Sequence, residues 1–125
     1  MKSRRQGRTH AVYQISTDDL GCRVKWLTIE NECGEHSFRW DAVTTVKTFK
    51  RDLFAFDSIC LAFETPDGWF EVNEDMKSFG PFLEAVERSL PGFPPQEDWW
   101  RQVMLPPFAL NERELWSRNQ TRHDT

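Results

Sequence analysis

A chain of 125 residues carrying six Trp and ten Phe has apolar area for one core and is too short for two ordinary domains. Its formal charge of −4 is uneven: Lys2, Arg4, Arg5 and Arg8 meet no acid before Asp18, so taking those four charges away leaves the remainder at −8. An acidic body argues against nucleic acid or an anionic membrane as the main partner.

Residues 1–9 read as a basic, solvated arm. From Ala11 to Ser16 the pattern alternates, with Ala11, Tyr13 and Ile15 on one face, which predicts a first strand. The cluster Thr17-Asp18-Asp19-Leu20-Gly21 predicts a turn. Cys22 to Glu30 is β-branched and aromatic, and its phase changes between Trp26 and Leu27, predicting a strand with a bulge there or with both faces buried. Asn31 to Glu35 reads as a hairpin loop, with Gly34 supplying positive φ. Ser37 to Trp40 begins the next strand, with Phe38 and Trp40 inward. Asp41 and Ala42 break it, and Val43 to Phe49 resumes it.

Lys50-Arg51-Asp52 is expected to close that strand, and Leu53 to Asp57 to connect it to the next. Ser58 to Thr65 alternates cleanly, with Ile59, Leu61 and Phe63 on one face. Pro66-Asp67-Gly68 is the best turn signal in the chain. Trp69 to Asn73 is read as the final strand, Phe70 and Val72 opposite Trp69 and Glu71. Ser78 is the expected N-cap of an amphipathic helix in which Phe79, Phe82, Leu83, Val86 and Leu90 form the apolar stripe. Pro91-Gly92 ends it.

After Gly92 the composition shifts to Phe93-Pro94-Pro95, Trp99-Trp100, Pro106-Pro107-Phe108 and Leu115-Trp116. Asp98 to Met104 has room for one or two helical turns. Exposing this much aromatic area is costly, so residues 93–118 are expected to pack on the sheet or on a second subunit. Residues 119–125 read as frayed.

The expected fold is α+β: a bent antiparallel sheet or partly open barrel capped by one C-terminal amphipathic helix, plus the aromatic extension. Three well-separated cysteines, Cys22, Cys33 and Cys60, do not form an even disulfide framework, which favours a reducing, cytoplasmic setting. The basic start is followed by no apolar signal-peptide core, and no segment approaches the length of a membrane span.

Phe38-Arg39-Trp40-Asp41-Ala42-Val43, a strand entering a W-D-x-V step, is one familiar feature. The other is Lys50-Arg51-Asp52 followed by Ile59 to Glu64 and the return Trp69 to Asn73. Together they resemble small bacterial proteins of the pleckstrin-homology-like superfold, including PH and GRAM-type domains. The resemblance covers residues 11–91, and the 10–92 unit is the expected PH-like domain. It implies binding of phosphoinositides, peptides or proteins rather than catalysis. Phosphoinositide-binding members use a basic loop between the first strands; here that loop, Thr17 to Gly21, is acidic.

Cys33-Gly34-Glu35-His36 has C-x-x-H spacing, half of a zinc site, with Cys22 as a third soft ligand one strand away; a closed site needs four, and small thiols beside a hairpin are the commoner explanation. Asp52 and Asp57 flank an apolar loop without a positioned His, and loop aspartates usually cap turns. No metal, cofactor or catalytic set is expected.

The candidate binding residues are Lys47, Lys50 and Arg51, the basic cluster within the body, and Trp99, Trp100, Arg101, Phe108 and Trp116, which have hot-spot composition. The leading expectation is a non-enzymatic module for a protein or peptide, with an immunity- or inhibitor-type protein as one variant. A homodimer through the aromatic extension is a further outcome. The competing reading is a membrane-surface adaptor whose basic arm engages anionic lipid.

Overall fold

The structure, a computed structural model, describes residues 12–27, 30–52, 57–105 and 111–118. Its architecture is α+β, built on two antiparallel sheets: one in the order β1-β2-β3 and one in the order β6-β5-β4-β7. They do not close into a barrel.

The first sheet comprises β1 (Val12–Thr17), β2 (Gly21–Leu27) and β3 (Cys33–Arg39). The turn between β1 and β2 is shaped by Asp18, whose Oδ1 accepts the N–H groups of Leu20 and Gly21 at 2.9 and 3.0 Å. Those donors hold the Asp18 carboxyl below its ordinary value of 3.8. Pairing runs unbroken from Cys22 to Leu27 on both sides of β2, so the expected bulge at Trp26 and Leu27 is absent. Leu27 is exposed and Trp26 half-buried, as ordinary alternation requires.

Two expectations for the next hairpin are corrected. Positive φ falls on Asn31 (67°), and Gly34 lies inside β3 opposite Trp26. A Cβ on Gly34 would sit 2.1 Å from the Trp26 ring, so the glycine makes room for the indole.

A 3₁₀ turn at Trp40–Ala42 carries the chain around the corner into β4 (Thr45–Asp52). The Trp40 indole N–H donates to the Asp18 carbonyl at 3.0 Å, locking this corner to the first turn. β4 pairs with β5 (Asp57–Thr65), and β5 with β6 (Gly68–Asn73) through the expected turn, where Gly68 adopts φ 122°. Asp57 therefore belongs to a strand; residues 53–56 of the expected connection lie outside the described residues.

Helix α1 (Phe79–Ser89) buries Phe79, Phe82, Leu83, Ala85 and Val86. Ser78 precedes it but is not a side-chain cap. Its left-handed backbone (φ 72°) departs from the extended geometry a cap needs, and only its carbonyl joins the helix, accepting the Phe82 N–H at 3.0 Å. Phe63 sits at the centre of the core, stacked with Phe38 (5.0 Å between centroids) and edge-on to Phe82 (5.6 Å). Burying Phe82 contributes about 2–3 kcal/mol.

The chain does not end its sheet at β6. After α1 it forms a 3₁₀ turn (Gln96–Asp98), a short helix α2 (Trp100–Met104) and then β7 (Arg113–Ser117), which pairs antiparallel with β4. A bulge between Val46 and Lys47 adjusts the register. The helix is thus followed by a further strand, and Trp69 to Asn73 is not the last one.

Candidate interaction surface

Strand period decides the fate of the predicted basic cluster. In β4, Val46, Thr48 and Lys50 face inward, and Thr45, Lys47, Phe49 and Arg51 face outward. Lys50 is therefore not a surface contact: its side chain is 2 % exposed, its Nζ lies 3.4 Å from Asp57 Oδ2, and it donates to the Met104 carbonyl. That links β4 and β5 to the end of α2.

The aromatic extension divides likewise. Trp99 and Trp116 are each 3 % exposed, and their indoles donate to the carbonyls of Pro94 (3.3 Å) and Pro91 (2.7 Å). They pack into the core of this chain. Trp100 is partly buried between Trp99 and Phe79, with centroids 5.5 and 6.3 Å away. Arg101 is exposed, and Phe108 lies outside the described residues.

Lys47 and Arg51 remain on the outer face of the four-stranded sheet. Lys47 Nζ lies 5.7 Å from the centre of the Trp69 ring and 3.5 Å from Glu112. Arg51 makes two hydrogen bonds to Glu71, at 3.0 and 2.6 Å, while its guanidinium covers Phe49 at 5.2 Å. Hydrogen bonding to Glu71 holds the guanidinium above its ordinary value. Register places Glu64 across from Trp69 and Glu114 across from Lys47. The two cations thus stand among four carboxylates, and Trp69, 49 % exposed, sits at the Lys47 end of this face, level with Glu64. The sequence placed Trp69 on the face away from Phe70, and a tryptophan on a polar face was the available signal for this surface.

Beneath the Arg51–Glu71 bridge, Cys60 is buried, and burial pushes its thiol up to about 12. Cys22 reaches about 12 for the same reason, inside the first sheet. The C-x-x-H spacing does not converge: three residues apart on a strand, Cys33 and His36 project to opposite faces of β3. His36 meets aromatic rings instead, edge-on to Trp26 and Phe70 at 5.2 and 5.5 Å. Asp57 is engaged by Lys50, and of Asp52 only the backbone pairing with Asp57 is described.

A cleft of about 520 Å³ lies where the β1–β2 and β5–β6 turns approach, lined in part by Asp18, Arg23, Phe38, Arg39 and Asp67. Asp18 is held by backbone N–H groups, Arg23 by Glu35 (2.7 Å) and Arg39 by Asp41 (3.0 Å). These groups shape the turns they belong to. No helix among the described residues is long and apolar enough to cross a membrane. Comparison with protein-family models, curated proteins and solved structures yields no significant match.

Proposed function

We propose that the chain is a non-enzymatic interaction module that binds a protein or peptide through the outer face of the four-stranded sheet. The observation that carries this reading is Trp69: half-exposed on an edge strand, with Lys47 over its ring and Glu64 directly across. A fixed aromatic with charges at its rim is hot-spot chemistry, and it holds its shape without ordering cost on binding. The excess of acid over base on this face fits a partner with a basic contact surface, as expected of an immunity- or inhibitor-type protein. The finer fold reading is PH-like. A three-strand meander, a second three-strand meander and then a helix support it; β7 and the buried extension are additions to that plan.

The test is affinity capture with the full chain and with Trp69→Ala, using Leu20→Ser, a change at a second exposed apolar residue, as the control. Losing Trp69 should weaken a captured partner by about thirtyfold, and Leu20→Ser should leave it unchanged. Capture indifferent to Trp69→Ala refutes the surface. Binding to anionic vesicles, lost on deleting residues 1–9, replaces this reading with the membrane adaptor.

A further inference from the structure

The exposed edge of β3 carries information that the Trp69 face does not use. The Trp40 N–H donates to the Leu20 carbonyl at 3.0 Å, and this sets the phase of the β2–β3 ladder. Gly34, His36 and Phe38 exchange bonds with β2, so the N–H and C=O groups of Glu35, Ser37 and Arg39 point away from it. Of the other three edges, β6 is also open but one residue shorter, and β1 and β7 are blunted. Lys77 covers β1, accepting the Ile15 N–H at 3.1 Å and donating to the Tyr13 carbonyl at 3.2 Å. β7 is five residues long and sits beside a bulge. β3 runs for seven residues without proline or bulge, the kind of edge that templates pairing.

We propose that the chain forms a two-fold dimer in which β3 pairs antiparallel with β3 of a second copy, centred on Ser37. The register follows from charge. A symmetric pairing must join residues whose backbone groups point outward. Centring it on Glu35 sets that carboxylate against itself, and centring it between Glu35 and Ser37 leaves Glu35 and Arg39 without an opposite charge. Centring it on Ser37 places Glu35 across from Arg39 of the second copy, twice over by symmetry, and sets His36 beside the second Phe38 on the other face. Within one chain Glu35 pairs with Arg23 and Arg39 with Asp41, all four side chains well exposed. Such pairs are weak and do not oppose the exchange. This proposal is independent of the Trp69 surface.

Light scattering and sedimentation of the full chain, with reductant present, test it. The wild type should reach twice the 14.8 kDa chain mass as concentration rises. Glu35→Arg and Arg39→Glu should each weaken the dimer by about tenfold, and the double swap should restore it. Ser37→Pro should abolish it while leaving the thermal transition in place, because the lost N–H serves no bond among the described residues. A wild type that stays monomeric at millimolar concentration overturns the proposal. So does a dimer indifferent to Ser37→Pro, or a double swap that fails to rescue.

Discussion

The two sheets of this molecule are finished differently. The three-stranded sheet is local: β1, β2 and β3 follow one another through short connections, and among the described residues β3 has no second neighbour. The four-stranded sheet is closed at β4 by β7, a strand from the far end of the chain. Its interior depends on Trp99, Val103 and Trp116, all from beyond Gly92. The Arg118 side chain adds bonds of 2.9 Å to the carbonyls of Trp40 and Val43, fastening the corner between the sheets. The described tryptophans of the extension thus belong largely to the fold, and the proposed surface joins Trp69, Lys47 and Arg51 of earlier strands to Glu112 and Glu114 of the extension.

The sharpest way to break this contrast is to end the chain at Gly92. That removes β7 and uncovers the β4 edge and the adjoining core, so size-exclusion chromatography should show aggregated or unfolded protein. A soluble monomer would mean the second sheet stands without its fourth strand. A subtler comparison uses one tryptophan from each sheet. Trp116→Ala should cost about 3–5 kcal/mol in urea unfolding, whereas the half-buried Trp26→Ala should cost about 1 kcal/mol. Equal losses would contradict the asymmetry.

The thiols report the same difference at smaller amplitude. Cys33, on the open edge, should react with a disulfide reagent in the native protein, while Cys22 and Cys60 should wait for unfolding. Both buried thiols rise from 9.0 to about 12. Between those values the folded chain holds protons that the unfolded chain has released. Stability is therefore intact below pH 9 and falls as pH rises toward 12. Replacing both by Ala should flatten that alkaline decline.

Much of the strand pattern was legible because the interactions that shape it are local. Pro66-Asp67-Gly68 fixes a hairpin by the chemistry of three consecutive residues, and α1 follows from the spacing of its apolar side chains. β7 was not legible: Arg113 to Ser117 is too short to show a period, and its partner lies some seventy residues earlier. Lys50 departs from the predicted basic surface because the alternation of Val46, Thr48 and Lys50 points it inward despite its charge. Gly34 reads as a turn residue because glycine is common in turns, while the indole it accommodates belongs to another strand. In the proposed surface, the outward placement of Trp69, Lys47 and Arg51 was readable from period. The pairing of Arg51 with Glu71 and of Lys47 with Glu112 required the assembled sheet.

The inward lysine of β4 has a consequence during synthesis. At about 5–20 residues per second, β7 emerges roughly 4–14 seconds after β4. Throughout that interval β4 is an open edge on a nascent polypeptide, with apolar Val46 and Phe49 available to a neighbouring chain. Lys47 and Lys50 then place one charge on each face of the unfinished strand, the arrangement that discourages intermolecular pairing. Once the extension arrives, the Met104 carbonyl receives Lys50, and the charge that guarded the young strand becomes a fastening of the mature one.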